Sequence, residues 1–290
     1  IDSLLPAEMA TRAEYLGVRK AEMPAFTMFM LAILAGAFIS LGAVFATTVA
    51  AGGMSVTAAD GNVAFTTGLP YGVTRLLTGL VFCLGLILVV VGGAELFTGN
   101  NLIVMAWASG KVSTGALLRN WGIVYAGNFV GSIATAVLMF FTRQYTFGSD
   151  SVGITALRIA VSKCSLDFWQ AIALGILCNG LVCLAVWLTY SARTTLDKIA
   201  AIIFPITAFV AAGFEHSIAN MYFIPIALLV KMFDPEYMAR VGEKVAGLDA
   251  LTWQSFFIGN LIPVTIGNII GGTVLVASIY WSVFLRSKKD

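Results

Sequence analysis

Three ionisable residues stand where an apolar chain offers little to hold them. Glu95 follows the run Leu80 to Val91 and Gly92-Gly93-Ala94, and Glu215 and His216 follow a second apolar stretch closed by Gly213-Phe214. His216 is the only histidine in 290 residues. Ionisable groups at membrane depth are costly, so each is expected to face a cavity or a partner. An imidazole there can attract an anion, or hand it a proton so that it passes a greasy constriction as a neutral acid. The bland reading of His216 is a neutral ring bonded to nearby backbone, and the functional reading is preferred to it. For Glu95 and Glu215 the preference is reversed: they are expected to cap backbone N–H groups or to fix broken loops. A bare carboxylate on an anion path would repel its cargo.

The two segments obey one pattern, Gly-x-Glu-x-x-x-small-Asn, at 93–100 and again at 213–220, which makes Gly93, Glu95, Asn100, Gly213, Glu215 and Asn220 matched structural positions. The match extends outward. Asn120 and Ala126-Gly127-Asn128-x-x-Gly131 pair with Asn260 and Ile266-Gly267-Asn268-x-x-Gly271 at an offset of 140 residues, while Gly36 pairs with Gly175 and Ser40 falls opposite Asn179.

Composition says what these residues are embedded in. The chain is 59% hydrophobic and 11% charged, against about 25% charged in a soluble domain. The apolar residues form blocks long enough to cross a bilayer as helices. Six spans are placed near 26–50, 70–107, 114–142, 168–192, 199–233 and 252–286, the second and fifth too long and interrupted at the two Gly/Glu/Asn segments. Leu5, Met9, Leu16 and Val18 alternate with charged residues before the first span, a pattern expected of an amphipathic helix at the membrane surface within 1–24. The channel domain follows over 25–290, with repeat one near 25–142 and repeat two near 167–286. An even number of spans puts both termini on one side. Ten Lys/Arg fall there, among them Arg12, Arg19, Lys20, Lys198, Lys288 and Lys289, against seven on the other, so cytoplasmic termini are expected. The start at Ile1 without a methionine is taken to mean a few missing residues, with no cleavable signal peptide.

Three spans followed by three related spans must run in opposite senses, giving an inverted repeat with its binding site where broken helices meet near the midplane. A break strands backbone groups that glycine makes room for and Asn, Thr and Ser can bond. Exposed N–H groups at facing helix ends favour a small anion. Enzyme motifs (GxGxxG in a suitable context, Walker A, HExxH) are absent, so catalysis is not expected. With one histidine, and with Cys83, Cys164, Cys178 and Cys183 outside metal-ligand spacing, no metal or cofactor is expected. A net charge of +2 gives no sign of nucleic acid. An aquaporin-like neutral-solute pore is a weaker alternative, because paired Asn-Pro-Ala loops are missing; a membrane enzyme or receptor lacks a catalytic constellation or a sizeable extramembrane domain.

Gly213-Phe214-Glu215-His216-Ser217-Ile218-Ala219-Asn220-Met221, Asn260 to Asn268 and Glu95-Leu96-Phe97-Thr98-Gly99 resemble the signatures of the formate/nitrite transporter family over essentially the whole chain. Leu4 to Ala10 with Gly17-Val18-x-Lys20 is similar to its bacterial formate branch. The resemblance implies an all-α protein with an aquaporin-like fold of six transmembrane helices, a 3+3 inverted repeat. It further implies a homopentamer around a lipid-filled hole in the bacterial inner membrane, with one pore per protomer passing formate, or nitrite or hydrosulfide as alternatives. By motif, Thr98 and His216 would mark the centre of the path, Asn179 would hydrogen-bond there, and Lys163 would draw anions into the outer vestibule, with Glu215 counted on the same substrate path. Phe82, Leu86 and Phe209 would form the cytoplasmic constriction, and Leu96, Phe97 and Val182 the other.

Overall fold

The computed structural model describes residues 3–57 and 63–286; Lys288 and Lys289, counted above toward the charge asymmetry, lie outside the described residues. The chain opens with α1 (Pro6–Ala21), then the first span α2 (Ala25–Ala50). A two-stranded antiparallel hairpin, β1 (Gly53–Thr57) and β2 (Val63–Gly68), adds a small sheet to an otherwise helical chain. The second span is cut into α3 (Tyr71–Gly92) and a second half made of α4 (Phe97–Asn100), a 3-10 turn and α5 (Val104–Ala108). Next come α6 (Thr114–Thr142), α7 (Ser151–Cys164) and α8 (Phe168–Ser191). The fifth span is cut into α9 (Thr195–Ala212) and α10 (Ser217–Phe233), followed by α11 (Pro235–Val241). The last span, Ser255–Phe284, contains two π-helical stretches, Ser255–Leu261 and Gly271–Ser278.

Among the described residues, six helices are long and apolar enough to cross a membrane: α2, α3, α6, α8, α9 and the last span. Their boundaries follow from side chains that satisfy orphan N–H groups. Ser113 accepts from Ala116 N–H at the start of α6, Asp167 from Trp169 and Gln170 N–H at the start of α8, and Thr194 with Asp197 forms a capping box on α9. Large apolar side chains such as Phe45, Leu138, Phe141 and Phe204 face outward and exposed, as a wall against lipid or against other copies requires.

Close packing between α2 and α6, and between α8 and the last span, relies on small residues, as membrane helices do in the absence of a hydrophobic drive. A Cβ at Gly131 would lie 2.0 Å from Ile33 O, and one at its repeat partner Gly271 would lie 2.1 Å from Ile176 O. Matched glycines thus seat matched helix pairs.

Two elements depart from expectation. The segment between the third and fourth spans, left as a loop in the sequence, contains α7, whose Val152, Ala156 and Ala160 at four-residue spacing are buried. In α1 the docking face is built mainly of small residues, with Leu16 and Val18 half-buried at its edge and Leu5 exposed. Met9, Ala10, Ala13, Gly17 and Ala21 are buried, packed with Leu102, Ile103, Met105 and Ala106 of the second half-span. Lys111 bonds the buried Glu14 and ties α1 down further.

Gly131→Ala is expected to cost about 1–3 kcal/mol by overpacking and to lower the thermal unfolding midpoint of the detergent-solubilised protein. Gly122→Ala, on the same helix with nothing within 4 Å of its Cβ, is expected to leave the midpoint unchanged or raise it.

Candidate functional site

Both breaks are built in the same way, atom by atom. α3 and α9 each end on a left-handed glycine, Gly93 at φ 75° and Gly213 at φ 78°, a conformation that costs other residues steric strain. The chain then runs extended through Ala94 to Leu96 and through Phe214 to His216 before turning helical again. Glu95 N–H donates to Leu31 O at 3.2 Å, and Glu215 N–H to Leu174 O at 3.3 Å. Asn128 reaches in from α6: its Nδ2 donates to Ala32 O and Glu95 O, and its Oδ1 accepts from Phe97 N–H at 2.9 Å. Asn268 does the same from the last span, donating to Gly175 O and Glu215 O and accepting from Ser217 N–H at 2.9 Å. One amide side chain thus satisfies a carbonyl and an N–H of the broken segment, groups that would each cost several kcal/mol unpaired in a dry interior, and ties them to a carbonyl of the neighbouring helix, α2 or α8.

The glutamates are held by lysines and asparagines. Lys20 of α1 bonds Glu95 Oε1 at 2.6 Å and Asn100 Oδ1 at 3.0 Å, while Asn100 Nδ2 bonds Glu95 Oε2 at 2.7 Å and Asn120 Oδ1 at 3.0 Å. Lys163 of α7 bonds Glu215 Oε1 at 2.7 Å, and Asn220 Nδ2 bonds Glu215 Oε2 and Asn260 Oδ1, both at 2.7 Å. Asn120 and Asn260 each donate to the backbone oxygen of that cluster's lysine, at 3.0 Å. The glutamates therefore fix the loops through side chains and cap no backbone N–H. The copies differ in two respects. Lys20 also serves Asn100 Oδ1, whereas Asn220 Oδ1 has no partner and Lys163 sits 5.5 Å above the Phe223 ring. Asn260 Nδ2 also reaches Glu215 Oε2 at 3.2 Å, whereas Asn120 Nδ2 meets Met28 Sδ.

Between the breaks lies a direct contact. Thr98 Oγ1 and His216 Nε2 are 3.0 Å apart, both buried. His216 is also the N-cap of α10, its Nδ1 accepting from Ala219 N–H at 3.1 Å. With Nδ1 accepting, the neutral ring carries its proton on Nε2 and donates to Thr98, leaving the Thr98 hydroxyl proton uncommitted. Asn179 Nδ2 braces the same point from α8, at 2.6 Å from Asn268 O and 3.3 Å from Thr98 O. Nearby, Tyr125 OH meets Thr265 Oγ1 at 2.9 Å. These two positions are 140 residues apart, the offset of the repeat, so a residue touching its own counterpart marks the pseudo-twofold axis.

Two cavities approach this point from opposite faces. One, of 340 Å³, opens on the side away from the described N-terminal helix and is lined by Arg75, Arg158, Lys163, Phe82, Phe209 and His216 among others. The other, of 310 Å³, opens on the α1 side past Arg12, Lys20, Lys198, Leu86, Glu95 and Leu96. Each mouth sets three cations against one carboxylate, and that carboxylate is already paired to one of the cations.

The structure brings Thr98, His216 and Asn179 together as the motif implied, and places Lys163 in the cavity away from α1. It corrects the grouping of the apolar residues. Phe82 and Phe209, with ring centroids 5.7 Å apart, face the cavity away from α1, whereas Leu86 faces the α1-side cavity with Leu96. Phe82 and Phe209 therefore lie on the side away from α1 and do not share a constriction with Leu86. The reason is helical rise: Phe82 and Leu86 are one turn apart, about 6 Å along α3, and that turn straddles the centre. Phe97 packs its ring on Trp121 and Tyr125, and buried Val182 lines neither cavity; Val186, one turn on, lines the α1 side. Phe223 and Arg75 were not singled out in the sequence. Phe223 is one more aromatic in an apolar run, and Arg75 was counted only as a charge on its side.

Comparison with known proteins follows this geometry closely. The family profile described as formate/nitrite transporter matches residues 7–282. The chain is 45% identical over 286 residues to the formate channel FocA of Escherichia coli (strain K12), covering 98% of this chain and 96% of that protein. It is 40% identical over 275 residues to the formate channel FocA of Haemophilus influenzae, covering 94% and 92%. A solved structure described as a pentameric formate channel with formate bound superposes with a TM-score of 0.79 at 47% identity, covering 90% of this chain and 98% of that one.

Glu215→Gln leaves the Lys163 ammonium, 14% exposed, without its carboxylate, and about 3–5 kcal/mol of stability is expected to go with it. Adding Lys163→Met to Glu215→Gln should recover most of that loss in thermal unfolding. Additive losses in the double variant would contradict a coupled pair.

Proposed function

The chain belongs to the formate/nitrite transporter family, and on that premise we propose that it is a passive or proton-linked formate pore rather than an enzyme. It works in the bacterial inner membrane as a homopentamer with one pore per protomer and with its termini in the cytoplasm. The N-terminal helix within 1–24 lies at the membrane surface, and 25–290 forms the channel, its repeats spanning 25–142 and 167–286.

The observation that carries this reading is the Thr98–His216 contact set between two cation-lined cavities. Focused positive potential at each mouth concentrates small anions and turns cations away. Lys163 and Lys20 keep Glu215 and Glu95 from opposing the anion by pairing with them. Beyond the mouths, Phe82 and Phe209 on one side and Leu86 and Leu96 on the other narrow an apolar passage, with Phe97 and Val182 packed behind it. There an anion loses hydration, and the hydroxyl of Thr98 offers a replacement donor. His216 holds that hydroxyl in place through Nε2 and is itself held by Ala219 N–H. A proton taken up from the aqueous side at Nδ1 makes the ring an imidazolium and displaces the N-cap bond from Ala219, which links the charge of the ring to the position of α10. The imidazolium can then pass its Nε2 proton to formate, leaving a neutral ring and formic acid, which gives that proton to water on the far side.

Labelled-formate uptake into liposomes containing the purified protein, compared at about pH 5 and about pH 7.5 on either side of the imidazole range, tests this. Wild type is expected to carry formate with a rate that depends on pH, and His216→Ala to lose that dependence. Unchanged flux and pH dependence in His216→Ala would return the ring to a purely structural role. Nitrite or hydrosulfide passing freely while formate does not would overturn the substrate assignment.

A further inference from the structure

Resting on that reading, we propose that the cavity away from α1 holds an anion of its own before the barrier, on the Thr78 hydroxyl and the Arg75 guanidinium. Thr78 lines this cavity one helix turn outside Phe82, and Arg75 lines it one turn further out on α3. Thr78 is 6% exposed, and its Oγ1 has no hydrogen-bond partner. A buried hydroxyl without a partner is rare, because the lost hydration goes uncompensated. Helical threonine uses two χ1 states, and with no bond to lose Oγ1 can turn toward the cavity.

Arg75 is already fixed in position. Its Nε donates to Ala211 O at 3.0 Å and its Nη2 to Val210 O, the last carbonyls of α9 before Gly213. Those bonds cover the negative end of the α9 dipole, which would otherwise face the anion. Its Nη1 has no hydrogen-bond partner among the described residues, so both N–H groups of that nitrogen remain for a ligand on a held cation. Across the cavity, Thr155, Arg158 and Ser162 of α7 add two hydroxyls and a second guanidinium to the wall.

The repeat supports the location. Position 78 in repeat one corresponds to 198 in repeat two, by the 120-residue offset of the breaks. Lys198 lines the α1-side cavity as Thr78 lines this one. Both mouths thus present a polar group at the same step before the centre, an ammonium on one side and a hydroxyl backed by Arg75 on the other. The ligand class is a small monocarboxylate or similarly sized oxyanion, which accepts from a hydroxyl and a guanidinium together. The site is a waiting position from which formate enters the barrier.

The test is the formate concentration dependence of uptake by the full-length protein in liposomes. Thr78→Val keeps the side-chain volume and removes the donor. It is expected to raise the half-saturating formate concentration roughly ten-fold, the lower end for the loss of one hydrogen bond to a charged ligand. Thr78→Ser, which keeps the hydroxyl, is expected to stay near wild type. Thr74→Val, the same change one turn away on a side chain bonded to Leu69 O, is expected to have no effect. Should Thr78→Val fail to assemble, Thr78→Ala carries the same expectation. Half-saturation unchanged in these Thr78 variants, with formate still carried, would overturn the waiting site and leave the pore standing. No formate uptake by wild type would instead overturn the pore itself.

Discussion

Asn128 and Asn268 allow two helices to be cut inside a bilayer. A break in hydrocarbon is tolerable only if every freed N–H and C=O finds a partner. Each of these amides supplies three bonds at one break: one donated to the carbonyl of the break's glutamate, one donated to a carbonyl of the neighbouring helix, and one accepted from the first N–H of the resumed helix. The rest follows from that economy. Gly93 and Gly213 can turn the chain because an amide waits beyond them. Glu95 and Glu215 can sit at the break because their own backbone is secured. Thr98 and His216 can be spent on each other rather than on rescuing the fold.

Symmetry and its exceptions divide the labour. Where the repeats agree, in Gly, Glu and Asn, the residues hold structure, and a lysine from outside each repeat completes the cluster. Where they differ, the residues can serve a ligand. Repeat one places Leu96, Phe97 and Thr98 where repeat two places His216, Ser217 and Ile218. A hydroxyl from one copy therefore meets an imidazole from the other near the axis marked by Tyr125 and Thr265. The mouths are alike in charge and differ in detail, with Lys198 on one side and Thr78 with Arg75 on the other. An inverted repeat thus gives both faces an anion-attracting approach while its centre stays asymmetric.

The break motifs were legible in sequence because the physics of a cut helix restricts residue type: glycine for the turn, an amide to reach the backbone, a carboxylate to anchor the loop. The partners of the glutamates were not. Lys20 and Lys163 come from α1 and α7, outside the spans, where charge is ordinary and a lysine carries no sign of what it touches. α7 itself was missed because its stripe of Val152, Ala156 and Ala160 is short and small beside spans of 20 or more apolar residues. The barrier residues were misgrouped because periodicity places Phe82 and Leu86 on one face but says nothing about which end of a 6 Å step is nearer the centre, about one helix turn. Phe223 and the orphan hydroxyl of Thr78 are visible only once the helices are packed.

The central claim is that paired breaks and cationic mouths make this a path for anions. The most direct measurement is the uptake of labelled formate and of labelled rubidium, a stand-in for potassium, by liposomes containing the purified protein. Formate uptake with rubidium excluded is the predicted result, whether formate crosses as the ion or as the acid. Rubidium uptake at a comparable rate would contradict the account, because a path that passes the cation cannot be governed by the charges described here.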